Sequence, residues 1–252
     1  MFENIKILFH QGKQFIPNVT TVEVPGIFRG RPVISMVKVD ESALRDLCPT
    51  NAITLQPVSI DLGKCTFCGE CARAFPDKVM FTKDYKLSTN ERDRLIIHEG
   101  EDKAVEVNPE TVRKEIHRVF GRSLKLRQVS AAGDNSCEWE LNAANNVQFD
   151  MGRFGIEFVA SPRHADGIVI TGPISENMAV PLQICYDAVP DPKIIVLVGT
   201  DAISGGIFAG SPALDRSFLD KYPVDLYIPG YPAHPLTIIN GLLDLTRKLS
   251  RK

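Results

Sequence analysis

An α/β protein in two parts, a small cysteine-rich α+β unit followed by a doubly wound parallel sheet, is the fold this 252-residue sequence predicts. Three observations carry it. Four of the six cysteines crowd between positions 48 and 71, at ligand-like spacing. Beyond about residue 124 the chain repeats short, β-branched apolar runs that end in glycine or turn residues: "LKLRQV", "GIEFVA", "GIVITG", "KIIVLVG" and "VDLYIPG". Helix-length segments separate several of them: "EWELNAANN", "SENMAVPLQICYDAV" and finally "PLTIINGLLDLTRKLS". Strands alternating with helices make right-handed βαβ units and a parallel sheet covered on both faces. The order of elements reads as a flavodoxin-like domain, whose functional loops gather at the carboxyl ends of the strands.

Composition sets the outer limits. An apolar fraction of 44% and a charged fraction of 24% are those of an ordinary globular protein, and the length allows a core that needs no metal merely to fold. A net charge of −2 argues against general nucleic-acid binding. The apolar runs are too short to cross a bilayer, and "MFENIKILFHQGKQF" lacks the long apolar core of a secretory leader.

Taken in order, residues 1–37 read as an extended basic arm, with Pro17, Pro25 and Pro32 discouraging helix. At its start Phe2, Ile5, Leu8 and Phe9 recur at helical spacing beside Lys6 and Lys13. That pattern is either an anchor for a membrane surface or partner, or a core-facing first helix. Residues 38–85 form the cysteine-rich unit and 86–123 a connector. Within the connector "NPETVRKEIHRVFGRSL" reads as a helix with Asn108 as N-cap, Pro109 in the first turn and Gly121 near its end. Residues 124–252 carry the parallel sheet.

The cysteines carry the chemistry. Cys65, Cys68 and Cys71 keep the C-x2-C-x2-C rhythm of a bacterial iron–sulfur site, but Phe75 stands before Pro76 where a fourth cysteine is due. In two-cluster ferredoxins that fourth cysteine ligates the other cluster. Cys48, followed by Pro49, has the form of the fourth member of an earlier run. Counting back places that run's other members at Lys38, Glu41 and Leu44, none of them a ligand for iron–sulfur. One set, Cys48, Cys65, Cys68 and Cys71, is therefore complete, and the other, 38, 41, 44 and 75, is wholly absent. Four soft thiolates suit one [4Fe–4S] cluster. Tetrahedral zinc is the competing reading, although zinc ribbons usually pair two C-x2-C knuckles. This unit is accordingly expected to be ferredoxin-like.

Longer motifs bring a family into view: "FRGRP", "CPTNAI…CTFCGEC", "RFGIEFVASPRHADGIVITGPISENM", "PDPKIIVLVGTDAISGGIF" and "VDLYIPGYPAHPLTIINGLL". The chain resembles a fusion of two subunits of group 4 membrane-bound [NiFe] hydrogenases of the formate hydrogenlyase type, relatives of respiratory complex I. Its first third is similar to their ferredoxin-like subunit, and the remainder to their small subunit, the counterpart of the complex I B subunit. The resemblance implies an iron–sulfur subunit without catalysis of its own, peripheral on the cytoplasmic face of the inner membrane. Its implied partners are a hydrogenase-like large subunit and membrane subunits, with no nucleic acid. In that family the small subunit holds a proximal [4Fe–4S] cluster at the strand ends. The matching positions here are Asp134, Cys137, Asp201 and Tyr231, only one of them a thiol. Hard oxygens and a bulky phenol suit a cube poorly, so no proximal cluster is expected. The role is then structural or coupling, or electron transfer that stops at the remaining cluster.

Other residues have two readings each. Arg163 and His164 in "SPRHAD" match a family loop beside the proximal cluster and are interface candidates; otherwise they belong to a structural loop whose arginine pairs with a carboxylate. Glu140 is a proton relay or a first-turn acid favoured by the helix dipole. "GTDAISGGIFAGS" lacks both nucleotide-binding fingerprints, so its glycines are read as turn formers. Cys185, near Met178 and Leu182, is read as a buried inert thiol. Trp139 is a candidate to fill the space of the missing cluster. An alternative for the whole chain is a stand-alone ferredoxin-type carrier whose flavodoxin-like domain binds a flavin, a nucleotide or another acceptor.

Overall fold

The computed structural model describes residues 2–12 and 14–247. Lys13, part of the amphipathic pattern, lies outside the described residues, as do 248–252. The amino-terminal half holds α1 (Phe2–Gln11), β1 (Pro32–Ile34), α2 (Glu41–Asp46), β2 (Ile53–Thr54), β3 (Ser59–Asp61), α3 (Glu70–Ala74), β4 (Val79–Phe81), β5 (Ile96–His98) and α4 (Lys114–Phe120). The second half runs β6 (Leu124–Ser130), α5 (Ser136–Ala144), β7 (Ile156–Phe158), β8 (Gly167–Thr171), α6 (Glu176–Asp187), β9 (Ile194–Val198), α7 (Thr200–Ser204), α8 (Ser217–Lys221), β10 (Leu226–Ile228) and α9 (Pro235–Thr246).

The second half is a five-stranded sheet in the order β10-β9-β8-β6-β7. Every pairing is parallel. Numbered within the sheet this is 2-1-3-4-5, the flavodoxin-like order, with its switch point between β6 and β8. The central strand β8 and its neighbour β9 are buried along their whole length, as a sheet covered on two faces requires. Alternation then sorts the side chains. Leu124, Leu126, Ile194, Val196, Val198, Leu226 and Ile228 point into a core shared with α4, α5 and α9. Ile168, Ile170, Ile195 and Leu197 point into the opposite core with α6, α7 and α8. Helix α9 is apolar nearly all round and correspondingly buried. A Cβ at its Gly241 would stand 2.5 Å from Ser88 Oγ, so only glycine admits the connector there.

The cysteine-rich segment folds into two small antiparallel sheets, β1-β4 and β2-β3-β5, to which the arm supplies β1 and the connector β5. Its core is continuous with the α6–α8 face of the large sheet. The arm is not a free extension either. Val19 and Val24 are buried in the α4–α5–α9 core. The Val19 carbonyl accepts from Tyr85 Oη at 3.1 Å and Asn240 Nδ2 at 2.9 Å. The halves are further joined by a two-way exchange, Thr89 N to Tyr227 O at 3.1 Å and Tyr227 N to Thr89 O at 2.8 Å.

Two expectations are corrected. Helix α1 buries none of its residues, with Phe9 85% exposed, so it is not a core-facing first helix. The connector helix begins at Lys114, with Arg113 and not Asn108 as N-cap. Asn108 is diverted: its backbone N–H donates to Asn90 at 2.7 Å and its amide to Glu91 at 2.6 Å, leaving Pro109–Thr111 in a turn. Gly121 does end the helix.

Candidate functional site: a cysteine pocket and a carboxylate-rich face

Cys48 follows α2, Cys65 and Cys68 lie on the loop after β3, and Cys71 sits in α3. All four line one pocket with Leu47, Ala52, Ile53, Ile60 and Phe81. The loop curls through two left-handed residues, Phe67 at φ 52° and Gly69 at φ 79°; this turns three cysteines towards one space. Backbone N–H groups point at the sulfurs: Ala52 N donates to Cys48 Sγ at 3.2 Å and Phe67 N to Cys65 Sγ at 3.3 Å. Burial pushes the Cys65 thiol up to about 12 and Cys71 to about 11, and the charges of the other pocket cysteines add to both.

A soft four-thiol set in an apolar wall, with N–H donors already at two sulfurs, fits an iron–sulfur cluster. Among the described residues no group of three or more His, Cys, Asp or Glu is arranged as it stands to hold a metal ion. The four positions without cysteine, 38, 41, 44 and 75, look different. Leu44 is fully buried and Phe75 packs against the same core, so hydrocarbon fills these two positions, whereas Lys38 is exposed and Glu41 half-buried.

The fold also gathers Asp134, Cys137, Asp201 and Tyr231, at the carboxyl ends of β6, β9 and β10. Tyr231 hydrogen-bonds Asp134, and the charges of Asp201 and Asp134 help burial push the phenol up to about 12. Cys137 is buried and likewise raised to about 12. Its Sγ lies so close to Gly199 that a Cβ there would stand 2.4 Å away. Asp201 is 5% exposed, and its Oδ1 has no hydrogen-bond partner among the described residues. Burial, then repulsion from Asp134 and Glu138, raises it to about 6. Glu138 is itself buried and accepts from Ser130 Oγ at 2.6 Å and Thr171 Oγ1 at 2.7 Å. Among the described residues the cation acting on Asp201 is Arg216, which spends its fork on backbone carbonyls of Pro173, Asp201, Ala202 and Ile203.

Between the two lies a cavity of about 340 Å³, lined by Arg29, Phe67, Glu140, Tyr231 and His234 among others. Glu140 is half-buried there, and burial raises its carboxyl. Arg163 and His164 are exposed and sit elsewhere. The connection carrying them leaves β7 and enters β8 level with Leu126, while Asp134 lies beyond Ser130 at the far end of β6. Four residues of strand, roughly 13 Å, separate the two levels. Among the described residues no carboxylate pairs with Arg163. Trp139 is 70% exposed and fills no cluster space; Tyr231 and Asp134 occupy that site. Cys185 is half-buried, not buried. The glycine-rich loop makes the expected turns, Gly205 at φ 90° and Gly206 at φ 54°. Sequence reasoning missed Glu138, Thr171, Thr200 and Arg216, since no motif marks a residue whose partners arrive from distant strands.

The family model described as NADH ubiquinone oxidoreductase, 20 Kd subunit, matches residues 135–245. A probable membrane-bound hydrogenase subunit, mbhJ, of Pyrococcus furiosus is 34% identical over 134 residues, covering 53% of this chain and 80% of that protein. The B subunit of the NADH-quinone oxidoreductase of Clostridium beijerinckii is 44% identical over 118 residues, 45% of this chain and 68% of that protein. A chain of the membrane-bound sulfane sulfur reductase, an archaeal respiratory membrane complex, is 31% identical with a TM-score of 0.43, covering 51% of this chain and 71% of that one. At 34% and 44% identity over 80% and 68% of the hydrogenase and B-subunit relatives, the chain belongs to the NADH ubiquinone oxidoreductase 20 Kd subunit family.

Proposed function

We propose that the chain is an iron–sulfur subunit of a membrane-associated assembly of the complex I and membrane-bound hydrogenase kind. In this reading it joins a ferredoxin-like and a small-subunit-like part in one polypeptide and holds one [4Fe–4S] cluster through Cys48, Cys65, Cys68 and Cys71. The observation that carries it is the gathering of all four thiols on one pocket, two of them already accepting backbone N–H bonds. The strand-end site supports the second half of the proposal. Two carboxylates, a phenol and a single thiol meet there, a donor set unfit for a second cube.

A bound cluster would supply one-electron chemistry. The chain's own part is to hold and shield. The four cysteines would be the ligands, Ala52 and Phe67 N–H groups would steady thiolate charge, and Phe81, Ile53 and Ile60 would keep water out. With no thiol set at the strand ends, electron transfer stops at this pocket or the role is structural. A hydrogenase-like large subunit and membrane subunits are the proposed partners, with peripheral attachment on the cytoplasmic face. No helix among the described residues is long and apolar enough to cross a membrane.

Anaerobic purification with iron, sulfide, zinc and flavin assays and EPR of the reduced protein tests the proposal. It expects about four iron and four sulfide per chain. Stoichiometric zinc, a bound flavin or twice that iron would each sink it.

A further inference from the structure

Helix α7 stands between the two sites and touches the cysteine loop at two points. Thr200, its first residue, is fully buried, and its Oγ1 donates to the Cys65 carbonyl at 2.8 Å. Ile203 packs against the start of the loop, where a Cβ on Gly63 would stand 2.7 Å from Ile203 Cγ2. The Thr200 hydroxyl has a second acceptor in range, the Gly230 carbonyl at 3.2 Å. One proton cannot serve both at full strength, and the backbone N–H of Thr200 already serves Gly230 at 2.9 Å. The hydroxyl is therefore free for Cys65. From the arm, Arg29 Nε donates to the Phe67 carbonyl at 2.5 Å, so the carbonyls on either side of Thr66 are both held by distant elements.

The other side of α7 is the carboxylate-rich face. Asp201 adjoins Thr200 and faces Asp134 and Glu138. Gly199, on the other side of Thr200, packs on Cys137.

We propose that Thr200 is a positioning residue for the cysteine pocket, and that through its bond to Cys65 the loading of the pocket is passed to α7 and the strand-end face beyond. This rests on reading the pocket as the cluster site. Ligation of Cys65 by a cluster would constrain the loop that carries it, and the Cys65 carbonyl with it. Thr200 and Ile203 then tighten or shift α7. A chain with a single thiol, Cys137, at the strand ends thereby keeps a mechanical route from its cluster to the face where a second cluster would lie.

Hydrogen–deuterium exchange on the full chain tests this, comparing chelator-stripped protein with protein reconstituted with ferrous iron and sulfide. In the wild type, loading should slow exchange across residues 199–208 several-fold. Thr200→Ser keeps the hydroxyl and should respond like the wild type. Thr200→Val should load the same iron, lose the response at 199–208 and shift the EPR signal of the dithionite-reduced form. A wild type that loads but shows no change at 199–208 overturns the inference while leaving the cluster reading intact, and needs no variant to fold. A Thr200→Val protein that responds like the wild type also overturns it alone. A wild type that takes up no iron and sulfide overturns the cluster reading and this inference together.

Discussion

Lys78 Nζ stands 2.6 Å from Glu99 Oε2, and the lysine side chain is only 1% exposed. The other glutamate oxygen accepts from Val58 N at 3.1 Å. Lys78 immediately precedes β4 and Glu99 follows β5, so this pair ties together the two small sheets of the cysteine-rich unit. A lysine placed this deep depends on its partner, because an unpaired buried charge costs more than the pair returns.

Glu99→Gln should therefore lower the melting temperature at neutral pH, by more than an exposed pair would. The Lys78 hydrogen bond holds the Glu99 carboxyl below the usual range. A depressed carboxylate contributes stability above its unfolded pKa, and loses it as pH falls through the folded value. The gap between variant and wild type should thus shrink as melts are repeated into acid.

Asp201 predicts the opposite slope. Its folded value is raised from 3.8 to about 6, so the native state binds the extra proton in that window. Its contribution is present below about pH 4 and is lost as pH rises through 6. Asp201→Asn should melt higher than wild type at pH 7 and converge with it near pH 4. An unchanged difference across that range would refute the assignment.

Cys65→Ser should abolish iron retention, whereas Cys137→Ser and Cys185→Ser should keep it. Metal analysis of the three proteins purified side by side decides this. Cys137 and Cys185 lie outside the pocket that holds the other four thiols.

If the strand-end fold still gathers its four positions, thiols should restore a second site. Asp134→Cys, Asp201→Cys and Tyr231→Cys together, with native Cys137, should raise iron from about four to about eight per chain. Iron content and a second EPR signal would report it.

Asn240→Ala should loosen the arm. It removes a buried donor to the Val19 carbonyl and leaves only Tyr85 there. The expected loss is about 0.5–1.5 kcal/mol. Faster limited proteolysis within residues 20–26 should accompany it.

The sequence by itself determined the local and periodic features. Alternating β-branched runs specify buried parallel strands, and C-x2-C-x2-C with a separate Cys-Pro specifies which thiols belong together. All five sheet strands and the three long helices of the second half lie where those patterns place them. Matching the family's motif also named Asp134, Cys137, Asp201 and Tyr231, which the strand ends do bring together. Tertiary structure decided the rest. Asn108 is a good N-cap in isolation, yet Asn90 and Glu91 recruit it from 18 and 17 residues away. The arm carries prolines and polar residues and reads as loose, but Tyr85 and Asn240 hold it in a core. Thr200 has no motif at all, because its meaning lies in a carbonyl 135 residues distant. Periodicity reports which face of an element is apolar; only packing decides which hydrogen-bonding groups from remote segments are buried together, and there a single hydroxyl joins the cysteines to the face beyond them.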